Sequence, residues 1–306
     1  MRRPKILLTG GSGQLGTALT PKLSRLGEVF APGRSELDLY APDMVKAFVL
    51  SIQPDLVINC GAYTAVDLAE SEPDKAFAVN ATAAGVLATA SQEVGASFIQ
   101  VSTDYVFDGT AFEPHKEHDA AAPINVYGQS KLAGEKMVLD SNERSTILRV
   151  AWLYGVSGKN FLLTMLRLAE SHSTLNVVDD QFGGPWYVEV LAEEMVKLAE
   201  QHCLGEVHFG TYHLPSSGHA AWCDFARSIF RERERLTGLK APDVVGIPSS
   251  EYPTPASRPK YSVMNGELAQ KKLRLELPHW EIQLKRAMED LYGRADDSGS
   301  VFGRSP

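Results

Sequence analysis

Cysteine is scarce in this 306-residue chain: Cys60, Cys203 and Cys223 stand far apart. That excludes a disulfide-stapled scaffold and a Cys-x-x-Cys metal site, and it points to a reducing cytoplasm. Long hydrophobic runs are missing too. The N-terminal "MRRPKILLTGGSGQLG" has two arginines but only "ILL" before its glycines, too short an apolar run for a signal peptide or a membrane span. Basic charge is in deficit, with 30 Lys and Arg against 38 Asp and Glu, a formal net charge of −8. A general nucleic-acid binder would present a basic surface, so that class is excluded as well. No internal repeat is present. What remains, 44% hydrophobic and 22% charged residues, is the composition of a globular chain long enough to bury a large core.

The first half alternates short apolar runs with helical patterns. "KILLT" (5–9), "EVFAP" (28–32), "DLVINC" (55–60), "SFIQVS" (97–102) and "STILRV" (145–150) are predicted strands. Helices are predicted between them over 14–26, 41–52 and 73–95, and from Tyr127 onward. Strands apolar throughout and separated by helices predict an α/β fold: a doubly wound parallel sheet covered on both faces. Pro21 lies inside the first helix, where it should kink or shorten it. Beyond about residue 160 the regularity weakens, which predicts a smaller C-terminal α+β lobe. The expected division is 1–160 for the sheet domain, with later segments crossing back, then 161–292 for the lobe. The small, polar 293–306 reads as a disordered tail.

"LLTGGSGQLG" places Gly10, Gly13 and Gly16 directly after the first strand. A turn that brings backbone N–H groups to a pyrophosphate, and aims a helix N-terminus at it, requires small residues at this spacing. In a strand–turn–helix unit the motif predicts a Rossmann-like nucleotide site. At the end of the second strand, "PGRSELDL" offers Gly33 and then Arg34, which suits a ribose 2′-phosphate, hence NADPH. Glu36 and Asp38 nearby leave NADH open, and a solvated surface arginine is the plainer reading of Arg34.

A carbonyl reductase also needs a proton donor and a group that polarises the carbonyl. Tyr127 and Lys131 in "PINVYGQSKLAGEK" share one helix face, and the lysine could favour the phenolate and reach the nicotinamide ribose. Tyr-x-x-x-Lys alone is more often structural. Here it follows the glycine turn, the strand-end Ser102-Thr103 of "VSTDYVFDGT", and a helix-opening Pro123-Ile-Asn-Val.

Together "GGSGQLG", "STDYVFDGT" and "PINVYGQSKLAGEK" resemble the extended short-chain dehydrogenase/reductases. "GAYTAVDLAESEPDKAFAVN", "DDQFGGP" and "YPTPASRP" narrow the resemblance to the dTDP-4-dehydrorhamnose reductase family, over residues 4 to about 292. That resemblance implies Gly13, Gln14 and Leu15 along the pyrophosphate and Asp38 and Leu39 near the adenine. It implies Ala62, Tyr63 and Thr64 along the cofactor groove, with Thr64 and Val66 also facing the sugar. Thr103 would take the hydroxyl role beside Asp104, Tyr127 would donate the proton and Lys131 would anchor the cofactor. Trp152 would contact the deoxysugar, or simply fill the core. The implied reaction reduces the C4 ketone of dTDP-4-dehydro-6-deoxy-L-mannose to dTDP-L-rhamnose. The resemblance is compatible with a homodimer. A carboxylate magnesium set does not match, since position 14 is Gln, so no required metal is expected.

The family usually has Thr where this chain has Trp186. A bulky indole there could narrow the sugar pocket, stack on a ring or simply pack in the core; a slight change of pocket shape is the favoured expectation, which keeps open a reductase of another nucleotide-linked 4-keto sugar. A third reading is a non-catalytic subunit similar to the regulatory subunit of methionine adenosyltransferase, which shares related stretches around Tyr127.

Overall fold

In a computed structural model describing residues 2–298, strand and helix alternate through the first half of the chain. The order is β1 (Lys5–Thr9), α1 (Gln14–Leu23), β2 (Glu28–Phe30), α2 (Pro42–Ile52), β3 (Leu56–Asn59), α3 (Val66–Ala69) and α4 (Pro73–Phe77). There follow α5 (Ala83–Glu93), β4 (Ser97–Thr103), α6 (Val126–Ser141) and β5 (Ser145–Val150). The second half runs β6 (Leu153–Tyr154), α7 (Phe161–Leu168), β7 (Thr174–Val178), β8 (Phe182–Gly183), β9 (Trp186–Tyr187) and α8 (Val188–Leu204). It ends with β10 (Gly210–His213), β11 (Ala220–Ala221), α9 (Trp222–Thr237), β12 (Asp243–Ile247), α10 (Glu267–Leu273) and α11 (Trp280–Ser298).

Six strands form one wholly parallel sheet in the order β10-β5-β4-β3-β1-β2. Successive side chains of a strand point to opposite faces, and here both faces are apolar. Ile6 and Leu8 of β1 enter one core cluster, while Leu7 between them enters the other. Leu56, Val57 and Ile58 divide the same way. Each such side chain contributes roughly 1.5–3 kcal/mol by leaving water. The strand order reverses at β1, so a crevice forms outside the carboxyl ends of β1 and β3.

Several details differ from the sequence expectation. Helix α1 ends at Leu23 rather than 26, with Pro21 in its last turn. The helix expected over 73–95 is broken by a π turn, Ala78–Thr82, which carries Asn80 toward the active edge. β10 is the edge strand of the main sheet, and α8 packs on α1, so segments beyond 160 return to the first layer. β7 and β12, not foreseen as strands, pair in parallel. They bury only Leu175, Val177 and Val244 as clearly apolar positions, too few for a visible alternation. At the C-terminus α11 continues to Ser298, so the start of the expected tail is helical; 299–306 lie outside the described residues. Among the described residues no helix is long and apolar enough to cross a membrane.

Candidate active site

A cleft of about 680 Å³ opens along the carboxyl edge of the sheet. Most of the residues singled out in the sequence line it; Gly33, Glu36 and Trp186 do not. Gly10, Gly13, Gln14, Leu15 and Gly16 of the glycine turn line it, with Arg34, Asp38 and Leu39 after β2 and Ala62, Tyr63, Thr64 and Val66 after β3. Thr103, Asp104, Tyr127, Lys131 and Trp152 line it as well. The glycine turn is as tight as its spacing requires. Gly10 has φ +70°, and a Cβ on Gly16 would lie 2.1 Å from the Gly10 carbonyl oxygen. Gly13 starts α1 with no side-chain cap, which leaves first-turn N–H groups to meet an anion. These features fit a bound dinucleotide phosphate. Gln14 turns aside: its Oε1 accepts from Asn160 Nδ2 at 3.2 Å, tying the turn to the loop before α7.

The exposed Arg34 guanidinium lies 5.4 Å above the Tyr40 ring. The carboxylates near it are engaged by backbone: Glu36 accepts from Gly33 N at 2.8 Å and Asp38 from Tyr40 N at 3.1 Å. A cation with its neighbouring carboxylates so occupied suits a phosphate better than a ribose hydroxyl.

The reaction centre is built on α6. Asn125 caps it, its Oδ1 accepting from Gly128 N at 2.8 Å while its Nδ2 donates to Ser257 O at 2.8 Å. Glu70 accepts from Val126 N at 2.9 Å, a carboxylate where the helix dipole favours one. The first turn therefore presents Tyr127 in a fixed direction, half-buried, with its ring 5.6 Å from Tyr105 in an edge-to-face pair. Burial pushes the Tyr127 phenol up to about 12; the Thr103 hydroxyl opposes the rise and the Asp104 carboxylate adds to it. Lys131 is buried and donates to Val101 O at 2.7 Å. Burial pulls its ammonium down to about 8, against Glu135 and Cys60. Lys131, expected to favour the Tyr127 phenolate, donates a hydrogen bond to the Val101 carbonyl. Burial, Thr103 and Asp104 act on the phenol and leave it protonated at neutral pH, the state that a proton donor needs. Asp104 is itself buried, accepts from Thr103 Oγ1 at 3.0 Å and Ser262 Oγ at 2.6 Å, and is pushed up to about 6 by burial.

Trp152 takes φ +44°, a left-handed backbone that costs a bulky residue of order 1–3 kcal/mol. Three neighbours hold it there. Its carbonyl accepts from Trp186 N at 3.1 Å, its indole stacks on Trp222 with centroids 3.4 Å apart, and Gly183 lies against its ring. A Cβ on Gly183 would approach the indole to 2.3 Å, which gives the glycine of "QFGGP" a reason. The expectation for Trp186 is corrected. Its side chain is fully buried in the core, donates to the Leu214 carbonyl and does not line the cleft, so it leaves the pocket shape to other residues.

Sequence reasoning missed four contributors. Trp222 lines the cleft, but an aromatic at a helix start carries no distinguishing signal. Asn80 brackets the Tyr63 backbone, accepting from its N at 2.8 Å and donating to its O at 3.0 Å, and also donates to Ser130 Oγ. Asn125 could have been found, as an Asn just before a helical run. Arg258 pairs in bidentate fashion with Asp67 at 3.1 and 3.0 Å, so "YPTPASRP" is latched to "AYTAVD".

Residues 4–292 match the RmlD substrate binding domain. The dTDP-4-dehydrorhamnose reductase of Burkholderia thailandensis is 40% identical over 294 residues, covering 94% of this chain and 99% of that protein. The reductase of that name from Escherichia coli K12 is 41% identical over 292 residues, covering 94% and 98%. A dTDP-4-dehydrorhamnose reductase from Bacillus anthracis, solved in complex with NADP, superposes with a TM-score of 0.87 at 37% identity, covering 95% of this chain and 100% of that one. With the match spanning nearly the whole chain, the protein belongs to the RmlD substrate binding domain family, that of the dTDP-4-dehydrorhamnose reductases.

Proposed function

We propose that this chain is an NADPH-dependent oxidoreductase that reduces the C4 ketone of dTDP-4-dehydro-6-deoxy-L-mannose to dTDP-L-rhamnose. The observation that carries the reading is that Thr103, Tyr127, Lys131 and Trp152 line the same cleft as the glycine turn. Full-length likeness to enzymes named for this reaction supports it. When bound, the nicotinamide supplies the hydride that adds to C4. The glycine turn and the α1 N-terminus would hold the pyrophosphate, and Arg34 the 2′-phosphate. The Thr103 hydroxyl would hydrogen-bond the substrate oxygen, and the neutral Tyr127 phenol would give its proton to that oxygen as negative charge develops there. Lys131, fixed on Val101 O, would hold the ribose.

The Trp186 geometry removes the ground for a different sugar, since the indole never reaches the cleft. The three cysteines are unpaired, which suits a reducing cytoplasm. The test mixes purified protein with NADPH and enzymatically generated dTDP-4-keto-L-sugar and follows the loss of nicotinamide absorbance. Turnover is expected in the natural chain, and Tyr127→Phe should lose about 10²–10⁴-fold in kcat while still binding NADPH. Full activity in that variant would overturn the proton-donor role. Tight NADPH binding without turnover of any keto sugar would favour the non-catalytic subunit.

A further inference from the structure

Behind the cleft lies a buried ion pair, Glu135 with Arg149, that the reaction as described does not use. Tyr127, Lys131 and Glu135 follow one another at four-residue intervals along α6 and share one helix face. Each of the last three residues of β4 meets one member of that stripe. The Val101 carbonyl accepts from Lys131 Nζ at 2.7 Å, the Ser102 hydroxyl donates to Glu135 Oε1 at 2.5 Å, and the Thr103 hydroxyl faces the Tyr127 phenol. Arg149, paired with Ser102 in the register of β4 and β5, grips the same carboxylate through Nε at 3.0 Å and Nη2 at 2.7 Å. Glu135 and Arg149 are 2% and 6% exposed.

An ion pair this deep is weak evidence for stability, because desolvation offsets most of the attraction. Its cost calls for another role. The geometry points to Glu135 as a positioning residue for the proposed reaction: held by Ser102 and Arg149, its carboxylate seats α6 on the end of β4 and balances the buried Lys131 ammonium. The inference rests on the reductase reading for its consequence, while its test below does not.

The charges around Lys131 leave Glu135 in command. From β3 the Cys60 thiol faces it, but burial pushes that thiol up to about 12, so it is neutral. From α6 itself come Tyr127, also neutral at pH 7, and Glu135. Asp104, at the end of β4, acts on Tyr127 rather than on Lys131. Arg149 of β5 is spent on Glu135, and His213 of β10, 3.3 Å from Arg149 Nη1, is held neutral by burial and by Arg149, its value pulled down to about 3. Burial disfavours the Lys131 ammonium, and Glu135 leads the opposition.

The experiment titrates NADPH binding by nicotinamide fluorescence across alkaline pH, in the natural chain and in Glu135→Gln. In the natural chain, affinity falls as pH rises through the Lys131 value near 8. Glutamine keeps the shape and an acceptor for Arg149 but loses the charge, so the fall should move about one pH unit toward acid. If orphaning Arg149 unfolds the variant, the double variant Glu135→Gln/Arg149→Met removes both buried charges together and should show a displacement toward acid that is smaller, because the Arg149 cation no longer adds to it. A fall at the natural pH in the folded variant, with natural affinity and turnover, overturns the proposal. Failure of the natural chain to turn over any keto sugar would sink the reductase reading alone, since a displaced binding profile would still assign Glu135 its place beside Lys131.

Discussion

Replacing Asp104 with Asn should make the protein more stable at neutral pH, by an amount that depends on pH in a definite way. Burial lifts the Asp104 carboxyl from 3.8 to about 6, more than the hydrogen bonds from Ser262 and Thr103 lower it. A carboxyl raised on folding binds its proton more tightly in the native state. Its contribution to stability is therefore fully present below the unfolded value of 3.8 and is lost as pH rises through about 6. A displacement of about two units corresponds to roughly 3 kcal/mol between those limits. Asparagine never ionises, and both hydroxyls that face Asp104 can turn to accept from an amide. Asp104→Asn should accordingly gain about 3 kcal/mol over the natural chain at pH 7.5 and only about half of that at pH 5. Urea unfolding at the two pH values, comparing each variant at constant ionic strength, measures the difference. A variant equally or less stable than the natural chain at both pH values, with no pH dependence in the difference, would refute the reasoning.

Three further outcomes follow from the same geometry. Trp186→Thr, which installs the usual family residue, should cost about 3–5 kcal/mol in denaturant stability while leaving KM for the keto sugar unchanged, because the indole is in the core; a large change in KM would return Trp186 to the pocket. Arg34→Ala should weaken NADPH binding about 10- to 100-fold and leave NADH binding unaltered, as judged by parallel fluorescence titrations. Gly183→Ala drives a methyl into the Trp152 indole and should raise KM for the sugar about tenfold with NADPH affinity retained.

The parts of this molecule that depend on neighbours along the chain were legible without coordinates. Apolar runs of strand length between helical stretches imply a covered parallel sheet, and glycines after the first strand imply a phosphate turn. A tyrosine and a lysine one turn apart imply a shared face. Local chemistry forces each of these, and the cleft brings those residues together. What depends on partners distant in sequence was not legible. Asp67 meets Arg258 across 191 positions, and β10 reaches the main sheet only after the chain has passed through β6 to β9, α7 and α8. Nothing within a few residues of Trp186 says whether its indole faces a pocket or the core. The packing of β9 beside β6, and the Leu214 carbonyl waiting for its N–H, decide that. The protonation of the proton-donor candidate was decided in the same way. Spacing placed Lys131 one turn from Tyr127; the fold added that the ammonium donates to Val101 O and that burial is the largest influence on the phenol. Sequence determined which groups are available and which lie on one face; tertiary structure decided which are dry, because desolvation depends on everything packed around a group.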